Sequence, residues 1–500
     1  MINRLKSKIT LINMITTLVL QVCVITSGFI IPRLILGQFG STVNGLVSSI
    51  IQFLSYITLV EGGLSGVIMA SLYKPLVDKD NQKISSIIKT SSNFYKRVGF
   101  VFIIYTLIVG VVYPLIFGAG FSFVYVFALT IIMSFNLLIQ YMFSLSARLF
   151  LTADKKIYIV SITQTIIVVA NIVLAYVSLK IYPSIHVFKL VAGLLYILQP
   201  LVFNSYIKSH YKIDKSAKED LGLIKNRWNG FAINVAAFIH NSTDITILTI
   251  FTNLTLVSVY SVYALVSAGL KTIIMSVTDS VVPTVGQAYA SGDAADLNKK
   301  MDHYEFVIFI LVFLFFSVAG LLITPFVQIY TSGISDANYY QPVFGVFLLL
   351  SEACYLIKSP HLNLAYSANK FKEITVPAFI EAGINIAVSL VLVNFYGLVG
   401  IAVGTLCAMI YRMIFHVYYT KKLVESRKQS IFYKKLLVYS LATVAGVAIC
   451  VFLLPLTNIT ILNWLIYGVL YVTIMSVIYF LVSILFYKNE VKFFLKYLKK

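Results

Sequence analysis

Ten charged side chains stand inside stretches of sequence that are otherwise apolar, and chemistry is expected there. The basic ones are Arg33, Lys189, Lys271, Lys358 and Arg412; the acidic ones are Glu61, Asp244, Asp279, Glu352 and Glu381, with His240 and His361 beside them. A charge in hydrocarbon is costly, so each must face a water-filled cavity or a partner. Lys271 and Lys358 lie too deep in their stretches to reach the outer surface with ease. Two ammonium groups in a partly desolvated cavity would attract a diphosphate strongly, because charge-assisted hydrogen bonds gain strength where water is scarce. The alternative is that each pairs with an acid such as Glu352 or Asp279.

Arg33 follows Pro32, which should kink its helix and free backbone carbonyls. Glu61 stands in Val60-Glu61-Gly62-Gly63-Leu64, beside a glycine pair that permits bending or close helix approach. It could bind a coupling proton or Na⁺, or serve as a buried partner for a lysine. His240-Asn241-Ser242-Thr243-Asp244 is the most polar run within an apolar stretch and reads as a cavity wall. Lys189 and Arg412 fall near opposite membrane faces and read as interfacial. One His among hydroxyls is not a metal site, and Cys23, Cys354, Cys407 and Cys450 stand singly, as small packing residues.

The elements that must position these groups follow from composition. The chain is 59% hydrophobic and 12% charged, with a mean hydropathy of +0.90, which excludes an ordinary soluble protein. A bilayer core about 30 Å thick takes roughly 20 apolar residues per helix. About fourteen such spans are predicted: 11–36, 44–72, 97–118, 120–146, 157–179, 184–206, 228–251, 255–284, 304–329, 340–366, 374–394, 397–419, 433–455 and 461–487. The fold class is therefore an all-α polytopic membrane protein. The net charge of +20 is distributed as a topology signal and not as a nucleic-acid surface. With a cytoplasmic N-terminus, 33 of the 39 Lys and Arg fall on the inner side and only Lys180 in an outer loop. Both termini are thus expected in the cytoplasm.

A weak internal repeat divides the chain. Thr152-Ala153-Asp154-Lys155 is echoed by Ser367-Ala368-Asn369-Lys370, Asn171-Ile172 by Asn385-Ile386, and Asp80 with Lys83 by Asp293 with Asp296, all about 214 residues apart. Two six-helix lobes in a parallel repeat are expected, 1–206 and 228–420, joined by a cytoplasmic linker, 207–227, that reads as a helix or as a disordered tether. Spans 13 and 14 with a basic tail, 421–500, are an appendix. Outer loops are short, and no Walker loop, GxSxG or HExxH is present. These features point to a transporter and not an enzyme.

Taken in order, Ile31-Pro32-Arg33-Leu34, Gly37-Gln38-Phe39-Gly40, Asn44-Gly45-Leu46, Glu61-Gly62-Gly63-Leu64, the Ala153-Asp154-Lys155 and Ala368-Asn369-Lys370 helix mouths and Thr243-Asp244 carry a resemblance. The chain resembles the polysaccharide-exporter branch of the multidrug/oligosaccharidyl-lipid/polysaccharide exporter superfamily, which includes the Wzx-type repeat-unit flippases. The resemblance implies a bacterial inner-membrane flippase that moves an undecaprenyl-diphosphate-linked oligosaccharide outward by alternating access, for O-antigen, capsule or exopolysaccharide synthesis. It implies that Arg33, Lys271 and Lys358 meet the diphosphate in a central cationic cavity, and that spans 13 and 14 guide the lipid tail. Glu61, Asp244, Glu352, His240 and Asn241 are the candidates for cavity or ion coupling, with H⁺ or Na⁺ as the ion and no other cofactor. A polysaccharide polymerase and a chain-length regulator are the implied partners. A cation-coupled multidrug antiporter of the same superfamily and a lipid II flippase stay open as alternatives.

Overall fold

The computed structural model describes the backbone of all residues except 1, 62, 119, 215, 221, 223–227, 457, 499 and 500. The side chains of 2–7, 228–234, 236, 237, 240, 241 and 494–498 also lie outside the described residues. All regular elements among the described residues are helical. Twelve helices are long and apolar enough to cross a membrane, and side chains such as Leu115 (71% exposed), Leu485 (76%) and Phe452 (82%) must be covered by lipid. The chain is a multi-pass membrane protein. The first of the twelve, Lys8–Glu61, holds the expected span 11–36 and much of 44–72, and of the expected span 228–251 the described residues include the shorter apolar helix Ser242–Phe251. Fourteen therefore stays an expectation from the sequence.

The chain forms two compact units. Unit 1 is Met1–Phe238 with Asn253–Ser258, and unit 2 is Ile239–Thr252 with Val259–Lys500. Unit 1 begins with α1 (Ile2–Ser55), α2 (Thr58–Glu61), α3 (Leu64–Asp78) and α4 (Asn81–Phe117). It continues with α5 (Phe123–Ile139), a π-helical turn (Gln140–Ser144), α6 (Leu145–Ala153), α7 (Ile157–Ile181), α8 (Ile185–Leu194) and α9 (Leu198–His210). Helices α10 (Trp228–Phe251) and α11 (Leu254–Ala290) are each divided between the units. Unit 2 continues with α12 (Ala294–Tyr330), α13 (Pro342–Ile357), α14 (Ser359–Ser367), α15 (Phe371–Tyr396), α16 (Leu398–Leu423), α17 (Gln429–Leu453), α18 (Ile461–Phe486) and α19 (Lys488–Leu498).

Pro32 stands inside α1, and the helical dihedrals fail eight residues later at Gly40, with φ 81° and ψ 179°. That region is open only to glycine. Helix α4 starts at residue 81, well before the apolar stretch at 97, because the Asp80 carboxylate accepts from Lys83 N at 2.9 Å and caps it. Hydropathy reports what lies in hydrocarbon and is blind to a polar first turn.

The same device recurs 213 residues later. Asp293 caps α12 by accepting from Ala295 N and Asp296 N, and α4 and α12 are both 37 residues long, starting at 81 and 294. The residue before each cap is left-handed: Lys79 at φ 57° before Asp80, Gly292 at φ 74° before Asp293. At the mouths of α7 and α15 the left-handed residues are Lys155 and Asn369. These stand 214 apart, so the backbone register here is one residue less than the 215 of the letter match. Asn adopts this conformation readily, whereas Lys155 must be held in it.

Residues 211–214 and 216–220 are not helical, which corrects the expectation of a linker helix. Side chains of α4 capture this segment's backbone instead: Asp214 N donates to Ser85 Oγ at 2.9 Å, Ser86 Oγ donates to Lys218 O at 2.6 Å, and Asp220 N donates to Thr90 Oγ1 at 2.7 Å. Asp214 also accepts from Ser216 N and Oγ, which holds its carboxyl below the usual carboxylate range. Such local bonds compete with helix formation.

Candidate functional site

Two basic residues of unit 2, Lys271 and Lys358, gather around one aromatic ring. Helix α13 carries Glu352 and Tyr355 and stops at Ile357, because Pro360 has no N–H to donate to a continuing helix. The break falls on Lys358, and α14 resumes at Ser359. Lys358 is 2% exposed, and its Nζ lies 4.0 Å from the centroid of Tyr355. Lys271 on α11 brings its own Nζ to 4.0 Å from the same centroid and pairs with Glu352 Oε2 at 3.1 Å. Of the two acids expected as partners, Glu352 is engaged, while Asp279 is exposed. Among the described residues, no carboxylate approaches Lys358 within ion-pair distance.

Arg412, expected at an interface, is instead buried. Its Nε meets Glu381 Oε2 at 3.2 Å and its Nη1 donates to Ile374 O at 3.4 Å. Sequence position suggests snorkelling because α16 ends in Lys421 and Lys422 only nine residues later, but the rotation of the helix points Arg412 inward. This part of unit 2 therefore holds Lys271, Lys358 and Arg412 against Glu352 and Glu381, an excess of positive charge in a region of low polarity.

A second polar site is built around Asp244, which is 6% exposed. Tyr260 Oη donates to its Oδ2 at 2.9 Å, and Thr405 Oγ1 lies 3.1 Å from each carboxylate oxygen. Asn385 Nδ2 reaches Thr405 Oγ1 at 3.2 Å, Ser389 Oγ reaches Asn385 Oδ1 at 3.3 Å, and the Ile401 carbonyl faces both hydroxyls. The site exists because α15 and α16 pack closely. A Cβ on Gly400 would meet the Leu392 backbone at 2.4 Å, and one on Gly404 would meet Ser389 Oγ at 2.1 Å. Gly400 and Gly404 form a small-xxx-small pair, the sequence signal that would have pointed to Asn385, Ser389 and Thr405. The side chains of His240 and Asn241 lie outside the described residues.

In unit 1, Arg33 is half-buried on α1. Glu61 ends α2 with hydroxyl partners: Ser65 Oγ donates to it, and Tyr95 Oη lies 3.4 Å from Oε1 and 2.8 Å from Ser65 Oγ. No lysine or arginine pairs with Glu61 among the described residues. Lys271, Lys358 and Glu352 are brought together in unit 2, whereas Arg33 and Glu61 belong to unit 1.

A third cluster went unforeseen. Glu305, 0% exposed, receives Arg427 Nη2, Lys435 Nζ at 3.1 Å and His361 Nε2 at 3.2 Å, and Asp302 adds a bond to Arg427 at 3.0 Å. Burial works against the Arg427 guanidinium, but Glu305 and Asp302 outweigh it and raise its pKa. The cluster ties α17 to α12. Next to it, α12, α13 and α17 enclose an apolar cavity of about 360 Å³ that reaches Phe313, Phe316, Leu350, Cys354 and Leu436.

The architecture matches solved transporters. No protein-family model and no curated protein sequence matches the chain. A structure of the lipid II flippase MurJ in an inward closed conformation superposes with a TM-score of 0.71 at 17% identity, covering 96% of this chain and all of that one. An inward-facing multidrug resistance MATE family transporter of the MOP superfamily gives 0.66 at 13% identity, over 81% of this chain and 96% of its own. The eukaryotic MATE transporter AtDTX14 gives 0.59 at 14% identity, over 86% and 98%. The fold is that of these exporters.

Proposed function

We propose that the chain is a flippase that translocates an undecaprenyl-diphosphate-linked oligosaccharide repeat unit across a bacterial inner membrane by alternating access, for surface polysaccharide synthesis. The observation that carries this reading is Lys358, a buried ammonium over a ring with no carboxylate at ion-pair distance among the described residues, with Lys271 beside it. A diphosphate supplies the charge that this arrangement lacks, and Lys271 can exchange Glu352 for it. On this reading Arg33 contributes from 1–206, the first lobe, and 228–420 is the second, with 207–227 as the cytoplasmic linker. The segment 421–500 guides the tail, which the apolar cavity beside α17 favours. The coupling ion, H⁺ or Na⁺, binds the oxygen-lined site at Asp244 or the hydroxyl-bonded Glu61. Polymerase and chain-length regulator act downstream, and both termini face the cytoplasm.

A lipid II flippase is the second reading, favoured by the match to MurJ along nearly the whole chain. The multidrug transporters cover less of it, and an excess of buried cations is unsuited to cationic drugs. Deleting the gene and measuring the lipid-linked pool by mass spectrometry separates the readings. Accumulated repeat units that Lys358→Ala fails to clear support the proposal. Accumulated lipid II selects the second reading, and an unchanged pool with altered drug sensitivity overturns both.

A further inference from the structure

Unit 2 carries an apolar groove that none of the sites above uses. It runs between α12 and α18, with a cavity volume of about 620 Å³, and includes Phe306, Ile310, Leu314, Val477, Phe480 and Val491. Along α12 it spans Phe306 to Leu314, about 12 Å at 1.5 Å per residue, close to the depth of one leaflet. Its end is closed by α19, held in place where the His303 ring stacks on Phe493 at 3.7 Å between centroids.

The charge at that end selects an occupant. Lys299 and His303 precede Phe306, Ile310 and Leu314 at helical spacing, so one stripe of α12 changes from basic to apolar as it enters the groove. On α19, Lys488 and Lys492 are exposed and flank the buried Val491 that lines the groove. Glu490 is the one acid of α19. Lys299, Lys488 and Lys492 outnumber Glu490 there, and the neighbouring Asp302 is already held by Arg427 and Lys435, so the headgroup end of a slot one acyl chain deep keeps a positive excess and matches a lipid that is apolar below and anionic above. We infer that this groove is a binding site for an anionic glycerophospholipid, its chain between α12 and α18 and its phosphate at Lys488 and Lys492. Bound there, the lipid bridges α12 and the α18–α19 hairpin, which is independent of the transported substrate.

The test is native mass spectrometry of the delipidated full-length protein, titrated with phosphatidylglycerol or phosphatidylethanolamine. Wild type should retain one phosphatidylglycerol about tenfold more strongly than phosphatidylethanolamine. The K488Q/K492Q variant should lose that preference, and Leu311→Trp, which fills the groove, should lose the lipid itself. Lys74→Gln in unit 1 serves as the control and should keep both. Equal retention of the two lipids by wild type overturns the proposal, as does an undiminished preference in K488Q/K492Q. That variant changes only exposed side chains, so its folding is not at stake if Leu311→Trp proves unstable.

Discussion

Lys271 and Lys358 share one ring: each ammonium nitrogen lies 4.0 Å from the centroid of Tyr355. Two like charges on one aromatic side chain repel, so the arrangement stands because Glu352 neutralises Lys271 and because the π face attracts both. Tyr355→Phe should preserve export, since the face is kept. Tyr355→Leu should weaken it several-fold, from the loss of roughly 0.5–2 kcal/mol per cation. Complementation of a deletion strain, read as surface polysaccharide, measures the difference.

Glu352→Gln leaves Lys271 without its carboxylate. Loss of one partner of a fully buried pair costs about 3–5 kcal/mol; with the two side chains 19% and 20% exposed, about 1–2 kcal/mol is expected here. Adding Lys271→Met should restore thermal stability in detergent but not export. Export recovered along with stability would show that Lys271 is only a structural partner.

Asp244→Asn keeps the shape of the oxygen-lined site and removes its charge. Transport in proteoliposomes should lose its response to an imposed Na⁺ or proton gradient. Thr405→Val should weaken the response by about tenfold, the worth of one hydrogen bond to a charged group. A gradient response unchanged in Asp244→Asn moves ion coupling to Glu61.

Glu305→Gln removes the common partner of Arg427, Lys435 and His361. About 3–5 kcal/mol of stability should be lost, visible as a lowered Tm together with faster proteolysis in residues 424–428. The Asp302→Asn variant, on the half-exposed edge of the cluster, should cost far less.

The linker should loosen in acid. Its carboxyl at Asp214 is held below the usual range by Ser216, so the folded form binds its proton less readily than the unfolded one. The contribution is complete above the ordinary carboxylate pKa and fades as pH falls through the depressed value. Protection of the backbone amides at 214 and 216–220, taken relative to intrinsic exchange at each pH, should fall at low pH in wild type and fall less in Asp214→Ala.

Much of this was readable before any coordinates. Apolar length points to the membrane helices, and Asp80 and Asp293 stand out as matching points of the repeat; that each caps a helix beginning well before its apolar stretch shows only in the structure. The pairing of Lys271 with Glu352 was one of two options that the sequence left open. What escaped depends on helix rotation: Arg412 has the same distance from the lysines of its helix end whether it faces lipid or Glu381. The Glu305 cluster escaped because Arg427 and Lys435 look like ordinary inner-loop charges until α17 folds against α12. The linker's charges suggest a helix or a disordered tether and hold no sign of its capture, because the hydroxyls of Ser85, Ser86 and Thr90 that hold it are far away in sequence.

Gly40 carries a consequence for how the chain can vary. Its backbone occupies φ 81° and ψ 179° in the middle of a run of 54 helical residues, which unbroken would be about 80 Å long, far more than a bilayer can hold. Every L-amino acid at this position is excluded by its own Cβ, whatever its polarity or size. A saturation library should therefore leave glycine alone at residue 40 after selection for export, while Gly37, three residues earlier and with open space around it, accepts substitution freely. The tolerance of the N-terminal helix to mutation would then be governed by one missing methyl group.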